Sequence, residues 1–111
     1  IASLSSTSEE LQIKAASVLA LAPTRTAQRA IAHLALSPNE TKTLRIAAFA
    51  SLAESAKNHE NLLEDAQVAE LVKIARDDED LVIRTSASEA LGAINLASNR
   101  ASEIIRKHHR G

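Results

Sequence analysis

The sequence has no Cys, Met, Trp or Tyr, and Phe49 is its one aromatic residue. Without Cys there is no disulfide and no thiolate nucleophile. Without Trp and Tyr the side chains that dominate tight interfaces are missing, and so are most of the stacking platforms that single-stranded nucleic acid needs. Gly and Pro occur twice each, too few for a hairpin-rich fold. No apolar run approaches the roughly 20 residues of a membrane-spanning helix. A net charge of −1, from 13 basic and 14 acidic residues, gives no overall attraction to polyanions.

What remains is rich in Ala and Leu, both strong helix formers, and Ala lets helix axes approach closely. The expected fold is all-α. The charge is also uneven: from Glu54 to Asp80 there are nine acids and three bases, and from Asn99 to Gly111 four bases and one acid. Stop and start signals divide the chain into six expected helices. The first runs from Glu9 to Ala22, opened by Ser6 with Glu9 as a capping box and closed by Pro23. The second runs from Arg25 to Leu36 with Thr24 as cap. Ser37-Pro38-Asn39-Glu40 reads as a capping box opening a third helix to about Lys57. Asn58 to Asn61 forms a polar linker, and a fourth helix covers Leu62 to Arg76. The acids Asp77 to Asp80 cap a fifth, ending near Asn95. Ser98 or Asn99 starts a sixth, ending near His108.

The third helix carries Leu44, Ala48 and Leu52 on one stripe and Ile46, Phe49, Ala50 and Ala53 on an adjoining one. Two stripes predict a helix covered by more than one neighbour. The first helix has the same character, with Leu11, Ala15, Val18, Leu19 and Ala22 beside Ile13, Ala16 and Ala20. The fifth has Ile83, Ala87, Ala90, Leu91 and Ile94. These three helices align without gaps. Ile13-Lys14 through Ala22, Leu44-Arg45 through Ala53 and Ile83-Arg84 through Gly92 each place a base after an aliphatic residue and close on a small-Leu-small or small-Leu-Gly block. The bases Lys14, Arg45 and Arg84 are 31 and 39 residues apart.

In this pattern the chain resembles the HEAT-repeat family, in its short bacterial and phycocyanobilin-lyase-like form. Ile83-Arg84 through Ala90-Leu91-Gly92 follows the family's second-helix pattern best. Lys14 replaces the Arg in the first copy, and Ala22 and Ala53 replace the Gly. The resemblance implies a right-handed α-solenoid of about three helix pairs over residues 1–111, read B, A, B, A, B, A and cut from a longer chain. It also implies that Lys14, Arg45 and Arg84 bond to turn acids such as Asp77 and Asp78 in a ladder within the stack. The function implied is a non-catalytic protein-binding scaffold. Two alternatives stand beside it, an architectural spacer and an accessory subunit of a chromophore-lyase-like enzyme.

Other motifs are weaker. Arg25 and Arg29, one helical turn apart, are the candidate partner-binding patch. His59-Glu60 is a single pair in a linker, whereas a metal needs three or four convergent ligands; His108-His109 point apart on a helix. His33 is expected to pack partly buried. The run Asp77 to Asp80 lacks the Gly and distant Glu of a calcium loop and fits helix capping. No Gly-rich phosphate loop and no nucleophile with an identifiable base is present, so no cofactor or metal site is assigned.

Overall fold

The computed structural model describes the backbone of residues 2–110 and the side chains of residues 8–96. Among the described residues there are five helices and no strand: α1 (Ala2–Leu19), α2 (Arg25–Leu36), α3 (Lys42–His59), α4 (Asp65–Asp77) and α5 (Leu81–Arg110). The helix boundaries follow local chemistry, in places differently from the sequence reading. Thr24 caps α2 as expected, its side chain accepting from the Ala27 N–H at 3.2 Å. The α1 helix does not start at a Ser6 box but runs from Ala2, because nothing between Ser3 and Ser8 interrupts it and Ser costs a helix only a few tenths of a kcal/mol. At its other end Leu21 and Ala22 tighten to i−3 bonds with Val18 and Leu19, ahead of Pro23, which disfavours helix in the residue before it.

Ser37 to Glu40 is a turn and not a helix start. The Glu40 N–H bonds to the Ser37 carbonyl at 3.2 Å, with Pro38 at the position where its fixed φ suits a β-turn. Thr41 is the true cap of α3, accepting from the Leu44 N–H at 3.2 Å. Asp80 caps α5, accepting from Val82 and Ile83 at 2.9 and 3.2 Å. The sixth helix is absent as a separate element. α5 is continuous from Leu81 to Arg110, since Asn95 to Asn99 contains neither Gly nor Pro and mid-scale residues do not stop a helix that has already nucleated.

The helices pack in two layers. α3 lies in a row between α1 and α5, while α2 packs on α1 and α3, and α4 packs on α2 and α5. The N-cap region of α3 is tied to the middle of α1 and to the start of α5. Thr41 Oγ1 donates to Glu9 Oε2 at 2.8 Å, and Lys42 pairs with Asp80 at 2.9 Å. One core cluster draws on α2 to α5 and on Leu19 and Ala20 at the end of α1, with Phe49, Ile31, Leu52, Leu71 and Ile94 fully enclosed. Each such side chain contributes about 1.5–3 kcal/mol on burial. Among the described residues eleven of the twenty buried apolar ones are Ala, so close backbone approach carries much of the packing.

The two-stripe expectation holds for the middle helix and fails at the edge. In α3, Leu44, Ala48, Phe49, Leu52 and Ala53 are buried and Ile46 is half-buried, with Ala50 alone exposed. Among the described residues of α1 only Ala16 is buried, with Ala20 buried just beyond its end, while Leu11 and Val18 are 63% and 65% exposed. In α5, Ile83, Ala87, Ala90 and Ile94 face the core.

Candidate functional site

The bases of the aligned register do repeat a contact, but to a different acceptor from the one expected. Arg45 Nε donates to the Ala35 carbonyl at 3.0 Å, and Arg84 Nη1 to the Asp78 carbonyl at 3.3 Å. Ala35 lies in the last turn of α2 and Asp78 is the C-cap of α4. Each guanidinium therefore caps the end of the preceding helix, where carbonyls have no intrahelical partner and a cation is favoured. The carboxylates of Asp77 and Asp78 are engaged elsewhere. Asp78 Oδ1 accepts from the Asp80 N–H at 2.9 Å, and Asp77 lies 4.0 Å from Arg76. Lys14 is exposed, with no helix end before it to cap among the described residues.

Arg25 and Arg29 sit in different settings. Arg25 is exposed, but Arg29 Nε donates to the Leu62 carbonyl at 2.9 Å and holds the connector between α3 and α4. That connector is fixed by a buried polar network that sequence reasoning missed. Gln28 is fully buried. Its Nε2 donates to Ser55 Oγ at 3.1 Å and to the Glu60 carbonyl at 2.9 Å, and its Oε1 accepts from the Leu62 N–H at 2.7 Å. Gln67 adds a second tie, donating from Nε2 to the Arg29 carbonyl at 3.1 Å. The network pins Glu60 at φ 85° and ψ −179°, a region that residues with a Cβ rarely occupy.

The histidines also sit differently from expectation. His59 belongs to the last turn of α3 instead of a solvated linker, and its Nε2 is shielded from water without a hydrogen-bond partner. His33 is exposed, because the buried side of α2 is formed by Ala27, Gln28, Ile31, Ala32 and Ala35. His108 and His109 have side chains outside the described residues. Among the described residues no three His, Asp or Glu side chains converge as a metal ion would require. Nor is any helix there long and apolar enough to cross a membrane.

A cleft of about 200 Å³ opens where α2 and α4 end. Leu36, Pro38 and Ile74 line it together with Arg45, Glu70, Lys73, Asp77 and Asp78. The sequence signal for this site was the acidic stretch from Glu54 to Asp80; the apolar floor became visible only once the α2–α3 turn was placed against α4. A larger hollow of about 520 Å³ lies between the middle of α1 and the start of α3, lined by Ser8, Glu9, Glu10, Gln12, Glu40, Thr41 and Leu44.

No protein-family model matches the sequence, and no curated protein and no solved structure matches it either.

Proposed function

We propose that this chain is a module of a HEAT-like, right-handed α-solenoid that serves as a non-catalytic protein-binding scaffold. The observation that supports it is the place of α3. It is covered on two sides by α1 and α5, the helices that align with it in sequence, while α2 and α4 form a second layer. The recurrence of a guanidinium on the preceding helix end at Arg45 and Arg84 adds to this. In such stacks each unit contacts its neighbours and adds a strip to an extended surface across which partners dock. The mechanism is shape and charge. With no Trp or Tyr to act as anchors, its affinity is modest and falls with salt.

The test is capture from a lysate of the source organism, with washes at low and high salt, using the native chain and the charge reversals Glu54→Lys and Glu89→Lys. Both residues are exposed, on the neighbouring helices α3 and α5. The expected result is one retained protein, weakened by salt and by both substitutions, as docking across two helices requires. A folded, cooperatively unfolding chain that retains nothing above background would overturn the scaffold and favour an architectural spacer.

A further inference from the structure

Three helices share a register, and two of them use it to hold the helix before them. Arg45, in the first turn of α3, reaches the Ala35 carbonyl at the end of α2, and Arg84 of α5 reaches the Asp78 carbonyl at the end of α4. One turn further along α5, Ser88 Oγ lies 3.4 Å from the Ala75 carbonyl of α4. The position of Ser88 is that of Phe49 in α3, which is fully enclosed. Near the other end of α3, Ser55 meets Gln28 close to the start of α2, so the held helix runs antiparallel to the one that holds it. On α1 the same positions are Lys14 and Val18. Lys14 is exposed, and Val18 is 65% exposed. Leu21, whose counterparts Leu52 and Leu91 lie in the core or against it, is exposed as well. Leu11 lies outside this face, because its counterparts Lys42 and Leu81 are exposed too. The α1 helix and the turn after it therefore present a cation and two aliphatic side chains where α3 and α5 each hold a helix.

We propose that this face of α1 docks an amphipathic helix of a partner protein, antiparallel to α1, with its C-terminal carbonyls on Lys14 and an aliphatic stripe on Val18 and Leu21. The site rests on the scaffold reading and supplies it with a partner chemistry. Charge and continuity select the occupant. A helix C-terminus carries orphan carbonyls and the negative end of the macrodipole, and the Lys14 ammonium has no ion pair among the described residues. The helices that fill the equivalent places are short, 12 residues in α2 and 13 in α4. In α2 the buried side carries Ala27, Ile31 and Ala35, one small or aliphatic side chain per turn. A second copy of this chain is a poorer occupant, because its own α2 and α4 already have their ends on Arg45 and Arg84. Two aliphatic side chains make a small seat, so an isolated helix binds weakly, with a Kd of about 1 mM.

The experiment titrates the isotope-labelled full chain with an unlabelled peptide and follows its amide chemical shifts. The peptide is alanine-based, so that it is partly helical alone, about as long as α4, and carries leucines one turn apart. The largest shifts are expected at Lys14, Val18 and Leu21. Val18→Ser, which keeps a similar helix propensity, is expected to weaken binding about fivefold. A peptide ending in a free carboxylate is expected to bind the native chain about threefold more tightly than the same peptide amidated, and to lose that advantage with Lys14→Ala. General hydrophobic adhesion would not distinguish the two peptides. Both substituted side chains face solvent, and circular dichroism checks that each variant keeps its helicity. Shifts confined to another face, no shift at millimolar peptide, or a carboxylate preference that survives Lys14→Ala would overturn the site. A chain whose own spectrum changes with its concentration until Val18→Ser is introduced would overturn it too, and give the face to a second copy. The two readings fail separately. A lysate partner retained equally well by Val18→Ser and Lys14→Ala overturns the docking face and leaves the scaffold standing.

Discussion

The two edge helices of the row occupy equivalent places and meet solvent with different chemistry. In the aligned register the positions of Ile46, Phe49 and Ala53 in α3 correspond to Ala15 and Val18 in α1 with Ala22 just after it, and to Thr85, Ser88 and Gly92 in α5. On α5 these positions are exposed and polar or small. Thr85 Oγ1 returns to the Leu81 carbonyl at 2.8 Å and Ser88 Oγ to the Arg84 carbonyl at 2.9 Å, and a side chain added at Gly92 would meet open space. On α1 Leu11 and Val18, and Leu21 in the turn just after it, are each more than 60% exposed. Stacked helices need a polar outer face where the stack meets water. The α5 edge has that character at Thr85, Ser88 and Gly92, although Leu81 and Leu96 above and below them are exposed; the α1 edge has it less. The same register thus carries a buried face in the middle helix, small and polar residues in α5 and apolar ones in the first helix.

Substituting Ala at one register position in all three helices breaks the comparison most directly. Phe49→Ala is expected to cost about 3–5 kcal/mol, by lost transfer energy and a residual cavity. Val18→Ala and Ser88→Ala are expected to stay within about 0.5 kcal/mol, because neither removes a buried group. Urea midpoints at constant slope measure all three. A cost above about 1.5 kcal/mol for Val18→Ala, rising with protein concentration, would mean that another chain covers α1 in solution.

Gln28 tests whether the connector matters as much as the core. Gln28→Ala leaves the Glu60 carbonyl, the Leu62 N–H and Ser55 without their buried partner, and unsatisfied groups of that kind cost about 1–3 kcal/mol each when water cannot reach them. A loss of about 2–3 kcal/mol is expected, with faster amide exchange at Leu62. Full retention of stability would show that water replaces the Gln28 amide. Gln67→Ala, which removes a less buried tie, is expected to cost about 1 kcal/mol.

These examples show how far the sequence could be read. α2 was legible to the residue because its cap and its buried stripe agree. The start of α3 was misread because Ser37-Pro38-Asn39-Glu40 satisfies the composition of both a capping box and a β-turn; Thr41, three residues before the buried Leu44, was the overlooked signal. The break expected at Ser98 or Asn99 relied on residues that only weakly disfavour helix. Gln28 gave no signal of its own, since Gln is mostly a surface residue and its partners lie 27 to 34 positions away. The register of Arg45 and Arg84 was legible. Their carbonyl acceptors were not, because these depend on where α2 and α4 end in space.

Glu60 separates backbone strain from side-chain contact. Its positive φ costs about 1–3 kcal/mol in a residue with a Cβ, and Glu60→Gly removes that cost while enlarging the entropy of the unfolded chain by about 0.4–1 kcal/mol. A net gain near 1 kcal/mol is expected, read as a rise in melting temperature of roughly 4–8 °C for a domain of this size. A loss of stability would mean that the Glu60 side chain contributes more than its backbone conformation costs.

The smallest effect concerns the tie between α3 and α5. The Lys42 ammonium, by hydrogen bond and then by charge, together with the Ile83 and Val82 N–H groups, holds the Asp80 carboxyl below its ordinary value of 3.8. A carboxyl whose pKa is lower folded than unfolded stabilises the fold above the unfolded value and loses that contribution as pH falls through the folded one. The difference in urea midpoint between the native chain and Lys42→Ala should therefore be present at neutral pH and close as the solution is acidified below 3.8. Asp80 is solvent-facing, so salt should narrow the same difference at neutral pH. Asp80→Asn retains a side-chain oxygen able to cap Val82 and Ile83 and loses only the charge. In that background Lys42→Ala should have no pH-dependent effect through this range. If the Lys42→Ala difference persists unchanged in acid, the pair holds α3 to α5 through packing of the Lys42 stem and not through its charge.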